Sequence, residues 1–152
     1  RQTFLFRLIF WTKQLKIIRG IPGSGKSTYV NKHYPEAYVC SADNYFEEVA
    51  DLNDTSYLEE FKGWLIGRAH QHCWALFILA VVTIGVPLVV VDNTNIAQWE
   101  YMNYVLLAET MGYDVEIVEI PFEADKAEVY YERNTHGVPL NVIQDMISRY
   151  EP

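Results

Sequence analysis

The chain has 152 residues, 50% of them hydrophobic, and a net charge of −8. That is one ordinary domain with enough apolar material for a core. The acidic balance excludes a broad nonspecific footprint on duplex DNA, though not a small basic groove. The charge is uneven: residues 1–35 hold seven Lys/Arg and no acid, and the rest holds all 20 acids and five bases.

Residues 1–14 are an unassigned extension, and residues 15–152 read as one domain. The extension is apolar from Phe4 to Trp11 but cut by Arg7, with no small-residue cleavage site, so it is a poor signal peptide. An added edge strand is the simplest expectation for it. Residues 15–19 then predict a short strand. Gly20-Ile21-Pro22-Gly23-Ser24-Gly25-Lys26-Ser27 follows and fits G-x-x-x-x-G-K-[ST] at every fixed position. The glycines let backbone N–H groups close on an anion. Lys26 is placed for the β- and γ-phosphates and Ser27 for Mg²⁺. Residues 26–33 carry no Gly or Pro and predict a helix, whose N-terminal dipole completes the anion site. Gly20, Pro22, Gly23, Ser24, Gly25, Lys26, Ser27 and Thr28 are therefore the candidate nucleotide-binding residues.

Residues 37–40 predict a second strand running into Ser41-Ala42-Asp43. Ser56 and Glu59 have capping-box spacing, which predicts a long helix from there toward Val82, ended by Gly85-Val86-Pro87. Within it His70 and Cys73 share a face while His72 points elsewhere, so a structural helix is expected rather than a metal site. Residues 73–91 carry no charge, but Gly85 and Pro87 break the run and Asp92 ends it, so no membrane span is expected. Cys40 and Cys73 fit free thiols in a reducing, cytoplasmic compartment.

Residues 88–91 predict a buried parallel strand ending on Asp92. Asn95 and Gln98 have capping spacing before a helix whose stripe of Trp99, Met102, Leu106 and Met111 is expected in the core, with Gly112 as its stop. Residues 114–120 alternate as a strand, residues 129–133 predict a helix, and Pro139 opens a last helix ending near Tyr150. Strands alternating with helices predict an α/β fold: a three-layer sandwich around a mainly parallel sheet.

In such sheets ligands bind beyond the carboxyl ends of the strands. The first strand feeds the glycine loop, the second Asp43, the third Asp92. Phosphoryl transfer needs a phosphate cradle, Mg²⁺, a carboxylate for the acceptor proton and cations on the equatorial oxygens. Asp92 is the candidate metal carboxylate beside Ser27; a turn or capping aspartate is the alternative. Asp43 is the candidate catalytic carboxylate; an N-cap or Asx turn is the alternative. Arg133, in Glu132-Arg133-Asn134-Thr135-His136-Gly137, is the candidate lid arginine; a surface ion pair is the alternative. Lys26, Asp43 and Arg133 form the catalytic set.

Four segments in this order, Gly20 to Thr28, Ser41-Ala42-Asp43-Asn44-Tyr45-Phe46, Val91-Asp92-Asn93-Thr94-Asn95 and Arg133-Asn134-Thr135-His136-Gly137-Val138-Pro139, resemble the zeta-toxin/polynucleotide-kinase-like branch of P-loop kinases. Within it the resemblance is nearest to the family of the NEDD4-binding protein 2 kinase-like domain. It implies a P-loop kinase fold, ATP and Mg²⁺ as ligands, and transfer of the γ-phosphate to a 5′-hydroxyl of single-stranded RNA or DNA, with Asp43 as general base and Arg133 in the lid. Phage-type polynucleotide kinases carry an arginine shortly after the general base to hold the acceptor phosphate; Phe46 stands there here. Their lids carry a further arginine; here His136-Gly137 follows Arg133. Phe46 and Tyr45 are either base-stacking residues or core. Two other functions stay open: a kinase of a nucleotide or other small hydroxyl acceptor, and a non-catalytic ATP-binding switch module.

Overall fold

The computed structural model describes residues 12–152. The expectation of an edge strand in the extension falls almost wholly on residues outside that range. Four strands, β1 (Gln14–Arg19), β2 (Tyr38–Cys40), β3 (Leu88–Asp92) and β4 (Asp114–Glu119), form one parallel sheet in the order β2-β3-β1-β4. Seven α-helices surround it among the described residues: α1 (Lys26–His33), α2 (Asp43–Asn53), α3 (Tyr57–Glu60), α4 (Ile66–Ile78), α5 (Met102–Thr110), α6 (Ala127–Arg133) and α7 (Leu140–Arg149). The expected α/β architecture is what the chain forms.

The central strands read as apolar runs because both faces are covered. Leu15, Ile17, Val89 and Val91 pack with Cys73, Phe77, Tyr104 and Ala108 of α4 and α5. Ile18 and Val90 face the other way, onto Val30 of α1. A third cluster, Ile21, Ile96, Ala127, Tyr130 and Ile143, joins the glycine loop to α6 and α7. The register puts Ile17, Val91 and Cys40 in one row across β1, β3 and β2. The next residues of all three strands therefore emerge level at one edge.

Several elements differ from the sequence expectation. The long helix is divided. The Ser56–Glu59 capping box is present, but α3 lasts only one turn. Phe61 turns extended, its ring packed on Phe46 and Tyr57, and a 3₁₀ turn, Gly63–Leu65, precedes α4. The helical stretch Gly63–Ile84 ends in a π-helical turn, Leu79–Ile84, closed by Gly85 at φ 76°. At 22 residues, with a mean hydropathy of 1.3 over its most apolar 18-residue window, it is by length and composition long and apolar enough to cross a bilayer. Its inner face, Ala69, Cys73, Phe77, Ala80 and Val81, is buried. The sequence reading placed no helix at Asp43, yet α2 starts there.

Of the expected stripe along α5 and its flanks only Met111 packs on the core; the other three residues face outward. Trp99 is 77% exposed and Leu106 57%, with Met102 also exposed. Tyr101, Tyr104, Val105 and Ala108 fill the core instead. Asn95 does not cap; it is buried at φ 49° and donates its side-chain amide to the Ile18 carbonyl. The Ala97 N–H finds the Glu100 carboxylate in its place.

Candidate functional site

The loop after β1 folds around one carbonyl. The Ile21 oxygen accepts from the Ser24 N–H at 3.2 Å, the Ser24 hydroxyl at 2.7 Å and the Lys26 ammonium at 3.3 Å. Gly23 and Gly25 take φ 76° and 94°, which glycine adopts without the Cβ penalty. A Cβ on Gly23 would stand 2.1 Å from the Tyr130 carbonyl oxygen, so α6 lies directly on the loop. Gly20 and Pro22 are buried; Gly20 donates its N–H to the Thr94 carbonyl, tying the loop to the segment after β3. Gly25 caps α1, and Lys26, Ser27 and Thr28 form its first turn. The leading N–H groups of a helix have no acceptor within it, so this turn offers donors to an anion.

Asp92, at the tip of β3, faces this turn. Its Oδ2 lies 3.4 Å from the Ser27 hydroxyl, and its Oδ1 is sealed from solvent without a hydrogen-bond partner. Burial raises the Asp92 pKa above the ordinary carboxylate range, against the pull of Lys26. Burial likewise lowers the Lys26 pKa, against Asp92 and Asp43. An orphaned carboxylate oxygen beside a hydroxyl is a hard-oxygen donor pair that fits Mg²⁺. Among the described residues no group of three His, Cys, Asp or Glu side chains could hold a metal. Few protein ligands, with phosphate oxygens and water completing the shell, is the usual Mg²⁺ arrangement.

Asp43 opens α2 at the tip of β2. Its N–H donates to the Ser41 hydroxyl at 3.1 Å. Asn93, next to Asp92, accepts the Ala42 N–H at 2.8 Å and so joins the β2 and β3 tips. Two residues from distant elements meet the carboxylate. The Tyr57 hydroxyl donates to Oδ1 at 2.7 Å, and His136 Nδ1 lies 3.5 Å from Oδ2. Burial and this bond raise the Tyr57 pKa, so the phenol keeps its proton. Glu47 is raised by burial and then by Asp43.

Lys26, Ser27, Asp43 and Asp92 thus face one another. Arg133 ends α6, one turn after Tyr130, whose carbonyl covers Gly23. It is exposed and, among the described residues, makes no ion pair, so the alternative of a surface ion pair with Glu132 or a neighbour does not form. Phe46 is 2% exposed, packed against Tyr57 and Phe61, which makes it core. Sequence reasoning missed Tyr57, and it missed Asn93 as the tie between strand tips. Tyr130 as the cover of the loop also escaped it. The Asn-x-x-Gly-x-Pro turn around His136 was the signal available for the last partner of Asp43.

Comparison with known proteins gives a family and a fold. A family described as an AAA domain matches residues 15–152. The chain is 30% identical over 142 residues to NEDD4-binding protein 2 from Homo sapiens, a match covering 90% of the chain. It spans only 8% of that relative's length. A gluconokinase from Sinorhizobium meliloti 1021 superposes with a TM-score of 0.53 at 14% identity, over 93% of this chain and 77% of the other. That likeness is one of fold. The glycine loop, the level strand tips and the family match over residues 15–152 agree: the chain belongs to this AAA domain family and has a P-loop kinase-like fold.

Proposed function

We propose that the protein is an ATP-dependent phosphotransferase that moves the γ-phosphate of ATP to a 5′-hydroxyl of single-stranded RNA or DNA. The observation that carries this reading is Asp43: a carboxylate on the β2 tip, close enough to Lys26 and Asp92 to perturb both, and held by Tyr57. The glycine-loop N–H groups and Lys26 hold the triphosphate. Ser27 and Asp92 would hold Mg²⁺, which would supply charge stabilisation to the triphosphate. Asp43 accepts the acceptor proton as the new O–P bond forms. The bond from the γ-phosphorus to the bridging oxygen breaks, and ADP leaves with that electron pair. Arg133 reaches the transferring phosphoryl group from the end of α6. The buried free thiols Cys40 and Cys73 suit a reducing, intracellular site of action.

One observation favours a second acceptor class. The position after Asp43 that would carry a phosphate-holding cation is Phe46, and it is core. A small hydroxyl compound needs no such cation. Among solved structures with a similar fold is one named as a gluconokinase. Labelled ATP, Mg²⁺ and a panel of 5′-hydroxyl oligonucleotides, nucleosides and sugars separate the two. Label on oligonucleotide ends supports the first reading, and label on small acceptors alone replaces it with the second. Intact ATP binding with no labelled acceptor leaves a nucleotide-gated switch. The Asp43→Asn protein is expected to bind ATP normally and to transfer nothing.

A further inference from the structure

His136 lies at the tip of a short loop whose construction serves that one side chain. The Asn134 side chain closes the loop. Its Oδ1 accepts the Val138 N–H at 2.9 Å, and its amide donates to the carbonyls of Tyr131 at 2.7 Å and Val138 at 3.3 Å. Gly137 follows at φ 69°, and a Cβ there would stand 3.0 Å from Leu58 of α3. The loop is thereby pressed onto α3. The His136 ring lies on Tyr57 with centroids 4.4 Å apart, and Tyr57 donates to one Asp43 oxygen while His136 faces the other.

From this geometry we infer that His136 is a positioning residue for Asp43, forming with Tyr57 a clasp on both carboxylate oxygens. The inference rests on the phosphotransferase reading of Asp43. A proton acceptor works only when held at the angle of the incoming hydroxyl. Tyr57 fixes Oδ1 alone, which leaves the carboxylate free to swing about that bond. His136 Nδ1, 3.5 Å from Oδ2, stands where it can donate to that oxygen and remove the swing as the site tightens around an acceptor. The same segment carries the Tyr130 carbonyl that covers Gly23. Donor loop and acceptor carboxylate are therefore gripped by one continuous stretch of chain, residues 130–138.

Three proteins test this: wild type, His136→Ala and His136→Asn. Asn places an amide donor near the former Nδ1. With a labelled acceptor from the panel above, His136→Ala is expected to lose roughly 10- to 100-fold in kcat with KM for ATP unchanged. His136→Asn recovers much of it. An unchanged kcat in His136→Ala overturns the inference, and so does a His136→Asn protein no better than His136→Ala. Loss of ATP affinity and Tm along with kcat marks a merely structural loop and also overturns it. The ¹⁵N resonance of His136 Nδ1, compared between wild type and Asp43→Asn, reads the pair without any acceptor. A resonance that does not move removes the clasp. If it moves while wild type labels no acceptor, the transfer reading fails and the clasp stands.

Discussion

Gly23 and Gly25 share a left-handed backbone but not their surroundings. A Cβ on Gly25 meets nothing within 4 Å, whereas one on Gly23 meets backbone of α6 that cannot give way. Gly25→Ala is therefore expected to cost only the conformational penalty, about 1–2 kcal/mol. Gly23→Ala adds displacement of α6 and should cost distinctly more, with ATP affinity falling alongside Tm. Thermal melts of the two variants, with and without ATP, check the ranking; equal losses would contradict the contact. Asp92 gives a prediction of opposite sign. Its folded pKa lies above its unfolded value, so the charged form is disfavoured by folding. That cost is absent below the unfolded value of about 3.9, grows as pH rises, and is complete above the folded value. Asp92→Asn should thus raise Tm at neutral pH without metal, with the gain shrinking toward pH of about 4. Added Mg²⁺ and ATP should then stabilise wild type more than the variant. Such a trade of stability for function is common where a charge is held ready for a ligand.

Among the elements, α2 and α3 decide what surrounds the acceptor carboxylate. Phe46 anchors them through ring contacts with Tyr57 and Phe61, at 5.6 and 5.0 Å between centroids. Phe46→Ala should cost about 3–5 kcal/mol by urea denaturation, because the cavity lies under both helices. Tyr57 should loosen from Asp43 in the same variant. These two helices also mark where the sequence stopped being legible. The glycine loop, the strand tips at Asp43 and Asp92, and the capping box at Ser56 are local signals, and each stands where its spacing put it. The break at Phe61 is not local: its ring leaves the helix to meet Phe46, a contact no window around residue 61 contains. Around α5 the sequence carries two apolar stripes at helical spacing, Trp99-Met102-Leu106 and Tyr101-Tyr104-Val105-Ala108. Periodicity cannot choose between them; the sheet does. His136 and Tyr57 reach Asp43 only through the fold: the turn around His136 marks that residue, but nothing local pairs either one with Asp43.

At the scale of the whole molecule Arg19 has the same history: in the sequence it is one more base in a basic N-terminal stretch, and in the fold it is 1% exposed. Its guanidinium donates to the carbonyls of Asn95 at 2.8 Å and Ile96 at 2.9 Å, to that of Glu151, and to the Glu119 carboxylate at 2.7 Å. Tyr101 and Tyr150 cover its faces, with ring centroids 4.9 and 4.6 Å from the guanidinium carbon. The end of β1, the chain after β3, the end of β4 and the residues after α7 thus converge on one planar group directly before Gly20. A lysine offers one point charge where a rigid fork serves four acceptors. Arg19→Lys leaves several carbonyls unmet, and Arg19→Met leaves Glu119 without its partner as well. Each buried carbonyl left without its donor costs about 1–3 kcal/mol, while the half-exposed Glu119 returns to water and adds little. At ~2–4 °C per kcal/mol for a domain of this size, Tm should fall by on the order of 10 °C in Arg19→Met. Arg149, paired with Asp145 at 2.7 Å on an exposed helix face, provides the control. Its replacement by Ala should cost only ~0.3–0.5 kcal/mol. If the two melts fall equally, Arg19 is not the junction its contacts describe. Because its strand leads straight into the glycine loop, the Arg19→Met protein should also lose ATP affinity even below its melting range, which the control should keep.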